Sequence, residues 1–249
     1  MDRAHYHALL GATEKLDYEI YISTHSLLSC QKPFDQLINH DELQFQIVHQ
    51  VEELWMKLMA HTLLEVDDYM VAGNAHRVAS LLGRCHRIMR LMISQLDLLE
   101  TMSPKEYQEI RLQLGNGSGQ ESPGFRVLLQ MIPELWRSFE KRYLIDAGRT
   151  VRSIYDEDYA HDDAYIVAEA LIELDEQFGK FRSSHIFLIH RSIGMGSASL
   201  KGRSVDLLQA GARHRFFPQL WDVRVAMTDA WGGQYGRVRD SISAAGEAA

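Results

Sequence analysis

The stretch HDELQFQIVHQVEELWMKLMAHTLLEVDDYM, residues 40–70, decides the fold class. Its apolar residues Phe45, Val48, Val51, Leu54, Trp55, Leu58, Met59 and Leu63 recur at three- and four-residue steps, and no Pro or Gly interrupts them. That period belongs to a long helix with one face turned to a core. Asn39 and Asp41 stand before it as candidate caps, and Gly73 separates it from a second periodic segment over about 76–100, which predicts an antiparallel partner helix. Ser103-Pro104-Lys105-Glu106 has a capping Ser, a first-turn Pro and a carboxylate three residues after the Ser, so a short helix should carry Tyr107 and Arg111. GNGSGQESPG, residues 115–124, holds four glycines and a proline and predicts a mobile loop. Helical patterning resumes over 125–143 and over about 163–193, breaks at Gly194, and returns through Phe216 to Trp221. No strand pattern competes and no internal repeat is found. The expectation is an all-α helical bundle in one domain, 1–249, with an N-terminal arm (1–38), a helical core (39–243) and a frayed tail (244–249).

Composition narrows the function classes. The chain has 249 residues, 46% hydrophobic and 24% charged, with five prolines, enough for a sizeable helical core. Its 26 Lys and Arg against 34 Asp and Glu leave a net charge of -8, which repels phosphate backbones and argues against a nucleic-acid partner. The charged N-terminal stretch does not read as a secretion signal, and no run approaches the roughly 20 apolar residues of a membrane span, so a cytoplasmic protein without membrane contact is expected. Cys30 and Cys85 are far apart and are expected to be buried free thiols.

Two pairs and one histidine carry the candidate chemistry. Phe45 and His49, four residues apart on a helix, can present an aromatic platform and an imidazole to one ligand, although a hydrogen-bonded core histidine fits the same spacing. Tyr107 and Arg111 repeat that spacing and can grip one carboxylate, the guanidinium in bidentate fashion; a surface Arg is the alternative. His185 stands between Ser183-Ser184 and the apolar run Ile186-Phe187-Leu188-Ile189, where a buried neutral imidazole makes a good iron ligand. His190 is expected to point elsewhere. Glu52-Glu53 and Asp67-Asp68 read as solvated helix faces. G-x-S-x-G, H-E-x-x-H, P-loop and G-x-G-x-x-G signatures are missing, which leaves hydrolytic and nucleotide chemistry without support.

In order, spacing and local sequence these residues resemble the tryptophan 2,3-dioxygenase family over most of the chain. HDELQFQIVHQ (40–50), followed by ELWMKL (53–58), is similar to the family's first core helix, whose Phe and His line the distal pocket; Phe45 and His49 match them. The family's Tyr-x-x-x-Arg, which binds the substrate carboxylate, appears as Tyr107 and Arg111. FRSSH (181–185), then RSIG (191–194), resembles the segment with the proximal haem histidine, which implies His185, not His190, as axial ligand of a haem b iron. LDYEIYI (16–22) is similar to the arm that enters a neighbouring subunit's site, with Tyr18 and Tyr21 at its aromatic positions, and a homotetramer is implied.

The departures are in the loops. Where the family has Gly-Thr-Gly-Gly, with the Thr on the substrate ammonium, this chain reads GSASLKG (196–202), and Ser199 falls at the Thr position. Ser118-Gly119 is kept in the earlier substrate loop, but the family's following Phe-Gln is replaced by Gln120-Glu121. Leu96 stands where an indole side chain is common near the haem.

The resemblance implies a haem-dependent oxygenase that adds O2-derived oxygen to the indole ring of L-tryptophan or a close derivative. Dioxygenation to an N-formylkynurenine-type product is the favoured form, with His49 as the catalytic imidazole. The altered loops motivate one alternative, a monooxygenase converting a modified tryptophan such as β-methyltryptophan to an oxindole. A haem-based sensor or carrier has no use for the Tyr107–Arg111 clamp, and a helical scaffold without haem would show no Soret band.

Overall fold

The computed structural model describes residues 2–10, 15–115, 117, 119–156, 161–198, 211 and 213–231. Among these the chain forms α-helices and no strand: α1 (Arg3–Leu9), α2 (Asp17–Tyr21), α3 (Thr24–Leu28), α4 (Glu42–Val71), α5 (Ala75–Leu99), α6 (Pro104–Gln113), α7 (Pro123–Phe139), α8 (Val151–Asp156), α9 (Asp163–Ile193) and α10 (Pro218–Trp231). The fold is therefore all-α, and α4, α5 and α9 run within a residue or two of their expected bounds. No helix among the described residues is long and apolar enough to cross a membrane.

Local chemistry sets the helix ends. Asn39 starts α4: its side-chain carbonyl accepts from Asp41 N at 3.0 Å, and its amide donates to Glu106 O at 3.0 Å and to Glu109 Oε2 at 3.1 Å. One side chain thus ties the start of α4 to α6, while Asp41 makes no cap bond of its own. Gly73 turns α4 into α5 at φ +75°, a conformation that strains any other residue, and a Cβ there would also have to displace the Arg142 guanidinium. Ser103 and Glu106 form the expected capping box at α6. α7 begins earlier than its periodicity suggested, inside the glycine-rich stretch, because Ser122 Oγ accepts from Phe125 N at 3.1 Å and Pro123 supplies a preset first turn. Its far end loosens into a π-helical segment, Glu140–Ile145.

α5 is the central helix, packed on α4 and on α9, and α4 packs in addition on α7. Met59, Leu63, Val66 and Met70 of α4 and Val78, Leu81, Leu82 and Met89 of α5 are almost wholly buried. Each such side chain contributes about 1.5 to 3 kcal/mol of hydrophobic stabilisation. α7 and α9 meet through side chains, Phe125 lying 5.5 Å from Phe178 and 6.3 Å from Phe181 between ring centroids. The cysteines divide: Cys85 is buried as expected, but Cys30 is exposed at the end of the arm, where its thiol lies 3.1 Å from Ser26 O.

α10 is held to α9 by Asp175. One buried carboxylate oxygen accepts from Phe216 N at 2.9 Å, Phe217 N at 3.2 Å and Trp221 Nε1 at 2.9 Å. Removing it leaves three donors unpaired in the interior. Asp175→Ala should therefore lower unfolding free energy by about 3 kcal/mol in denaturant titration, whereas Asp175→Asn, which retains an acceptor oxygen, should lose less than half of that.

Candidate active site

α4 and α9 each carry a stripe at alternating steps of three and four residues, so each stripe holds one face. On α4 it runs Phe45, His49, Glu52, Met56, Met59, Leu63, Val66, Met70, and on α9 Leu171, Leu174, Phe178, Phe181, His185, Leu188, Ser192. One half of each stripe is hydrocarbon and fills the core. The other half carries polar groups and faces a cavity of about 830 Å3. Leu96 and Leu99 from the end of α5, Tyr107 from α6 and Phe125 and Leu129 from α7 complete much of its wall. A large, mostly apolar chamber with a few convergent polar groups is the usual form of a ligand site.

Backbone contacts determine the state of His49. Its Nδ1 lies 2.7 Å from Phe45 O. A carbonyl only accepts, so Nδ1 carries the proton and Nε2 is left as an acceptor. Burial holds the ring's pKa below the ordinary histidine value. Phe45 packs on it with ring centroids 4.1 Å apart and lies 6.4 Å from the Tyr107 ring. Burial pushes the Tyr107 phenol up, against the opposite pull of Arg111, so it stays protonated and able to donate.

His185 faces the same cavity. Burial, and then the neighbouring His49, push its pKa down to about 4, so the imidazole is neutral at physiological pH. Neither ring nitrogen hydrogen-bonds to a described residue, and the parallel Phe181 ring lies 6.3 Å away between centroids. Arg182, one turn before it, lies over Phe178 at 5.0 Å and Phe216 at 5.2 Å and donates to Gly211 O at 3.0 Å.

Arg111 shares a face of α6 with Tyr107 but stands outside the cavity lining, where its Nη2 donates to Ala198 O at 2.8 Å. The guanidinium thus touches the segment that follows Gly194. Tyr18 and Tyr21 are exposed, at 71% and 88%, and do not line their own chain's cavity. Ser118 and Ser199 lie outside the described residues. Leu96, by contrast, is in the cavity wall, and His190 is not.

The acidic pairs need correction. Glu52 is buried and lines the cavity, and Glu53 accepts from Ser122 Oγ and from Gly124 N at 2.9 Å, so this pair is no solvated face. Asp67 is half-buried and accepts from Ser138 Oγ at 2.5 Å; only Asp68 is exposed as expected. Glu52 was legible as a site residue from its place on the α4 stripe, three residues after His49. Arg182 and His214 also face the cavity; Arg182 lies within the FRSSH stretch, but no spacing singles out either residue.

The family model for tryptophan 2,3-dioxygenase matches residues 4–143. The tryptophan 2,3-dioxygenase of Myxococcus xanthus is 32% identical over 260 residues, covering 85% of this chain and 89% of that protein. Those of Serratia proteamaculans and Erythrobacter litoralis are each 28% identical, over 262 and 263 residues, and are covered to 93% and 99% of their lengths. Agreement along most of both chains, with the stripe histidines of α4 and α9 facing one chamber, leads to a single assignment. The chain belongs to the tryptophan 2,3-dioxygenase family of haem-dependent oxidoreductases.

Proposed function

We propose that this protein is a haem-dependent oxygenase that inserts both atoms of dioxygen across C2–C3 of the indole of L-tryptophan or a close derivative, giving an N-formylkynurenine-type product. The observation that carries the reading is one cavity holding a neutral His185, without a hydrogen-bond partner among the described residues, together with the Phe45–His49 pair and Tyr107, one helical turn from Arg111 on α6.

The residues suit a haem. His185 offers a nitrogen lone pair without first losing a proton or a hydrogen bond, and the surrounding walls, with Phe181, Ile186, Leu188 and Leu129, are apolar enough to receive a porphyrin. Among the described residues no three His, Cys, Asp or Glu side chains cluster as a bare ion would require, whereas a haem iron needs only one protein ligand here. When bound, the haem supplies the activation of dioxygen.

The chain's own groups then orient the substrate. Arg111 and Tyr107 hold the carboxylate, which requires Arg111 to exchange its bond to Ala198 O for the ligand. Phe45 packs against the indole. His49, protonated at Nδ1, accepts the indole N–H at Nε2. Ser118 and Ser199 are assigned to the substrate as the resemblance implies, Ser199 to its ammonium. Tyr18 and Tyr21 are assigned to a neighbouring subunit's site in a homotetramer, for which their exposure beside exposed Leu16 and Ile20 gives support. A single domain working in the cytoplasm completes the reading.

Reduced, haem-loaded protein should consume dioxygen when given tryptophan and much less when given tryptamine, which lacks the carboxylate. Equal rates with the two amines would remove Tyr107 and Arg111 from the site.

A further inference from the structure

One buried carboxyl of the cavity has no hydrogen-bond partner among the described residues. Glu52 is 8% exposed and lines the chamber, its Oε1 is fully buried, and neither carboxyl oxygen hydrogen-bonds to a described residue. It follows His49 by three residues on the same stripe, about 4.5 Å farther along the helix axis. Leaving such a group unsatisfied costs about 1 to 3 kcal/mol, so a carboxyl kept there without a structural bond points to an occupant that completes it.

The chemistry of the neighbourhood decides what that occupant offers. Glu53 accepts two hydrogen bonds, from Ser122 Oγ and Gly124 N, and carries its charge beside Glu52. Burial first, and the Glu53 charge second, push Glu52 up to about 7. Glu53 is thereby tied to the start of α7, while Glu52 faces the cavity as a carboxyl whose protonated form persists up to about pH 7. A neutral carboxyl adds to the chamber what His49 Nε2 does not, an O–H donor. Dioxygen attack on the indole turns O2 into two product carbonyl oxygens, and partial negative charge on oxygen during that transfer is what such a donor stabilises.

We infer that the Glu52 carboxyl is the hydrogen-bond donor to the oxygen being transferred to the substrate's ring. The inference rests on the oxygenase reading above. Both oxygen atoms enter the product and no external electron or proton is consumed, so Glu52 lends its proton to a hydrogen bond and keeps it. Among the described residues, the titratable and charged groups that share the chamber are His49 and Glu53 on α4, Tyr107 on α6, Arg182 and His185 on α9, and His214 ahead of α10. Below about pH 7 the donor is present; as pH rises through about 7 Glu52 ionises and the donor is lost.

The test compares wild type, Glu52→Gln and Glu52→Leu as haem-loaded proteins. Glutamine preserves a donor and should stay within about threefold of wild-type kcat, with no fall as pH passes 7. Leucine should lower kcat about tenfold to a hundredfold with little change in the KM for tryptophan. Independently of turnover, carbon monoxide bound to the reduced proteins reports a nearby donor by a lowered C–O stretching frequency, which should be low in wild type and Glu52→Gln and higher in Glu52→Leu. A Glu52→Leu protein that matches wild type in both kcat and C–O frequency overturns the assignment. A wild type that binds haem but does not oxidise indoles defeats the oxygenase reading instead, and the carbon monoxide comparison still decides whether Glu52 donates into the chamber.

Discussion

His185→Ala is expected to lose its haem. The imidazole is a neutral nitrogen donor that α9 presents to the cavity without a hydrogen-bond partner among the described residues. Without it no described residue that α9 presents to the cavity would offer a haem iron a nitrogen ligand, and the group would lose its strongest single contact. Retention should fall by more than ~100-fold, beyond the cost of disturbing a group that merely orients a ligand. Transfer of haem to an apo-globin acceptor measures this directly, and the Soret band of the purified variant should be weak and shifted. The fold should persist, because truncation enlarges an existing chamber and breaks no hydrogen bond among the described residues. His185→Gly with added imidazole should regain the Soret position, since a free ligand can occupy the vacated space. His190→Ala is the control: His190 is outside the cavity lining, and its haem content should be unchanged.

Arg111→Ala is expected to raise the KM for tryptophan by roughly 10- to 100-fold. A hydrogen bond to a charged group contributes about 1.5 to 3 kcal/mol, which corresponds to that range of affinity. The loss should be specific to the carboxylate. Tryptamine, already poor with wild type, should be little affected, so the preference for tryptophan over tryptamine should largely vanish. Arg111→Lys should recover only part of the affinity, because an ammonium cannot form the planar two-point contact of a guanidinium. Tyr107→Phe removes one neutral donor and should cost about 1 kcal/mol. Since Arg111 also donates to Ala198 O, the alanine variant should loosen the segment after Gly194 as well, visible as faster amide exchange over 195–198.

Periodicity made the long helices legible. α4, α5 and α9 bury hydrocarbon at three- and four-residue steps, and their ends carry Gly73 and Gly194, both at positive φ, so pattern and punctuation agree. The start of α7 is hidden by glycine content around the Ser122-Pro123 cap, which has the capping Ser and first-turn Pro of Ser103-Pro104 but Phe125 in place of the capping-box carboxylate. In the site, Phe45, His49 and Tyr107 could be grouped by spacing, but spacing alone left each as plausible in a core or on a surface. Only the fold brings α4, α6 and α9 around one chamber. Adjacent acids are usually solvated, which hides Glu52 in the sequence, while its stripe position, in register with His49 and Met56, points the other way. Arg182 and His214 depend on contacts between α9 and the segment before α10, which no local pattern encodes.

Both oxygen atoms of dioxygen should end in the ring-opened product of tryptophan. Incubation of the reduced, haem-loaded protein with tryptophan under 18O2, followed by mass analysis of the product before exchange with water, tests it most directly. The expected result is a product carrying two labelled atoms, with the C2–C3 bond cleaved. A product with a single labelled atom and an intact ring, or an unchanged substrate in the presence of bound haem, would contradict it.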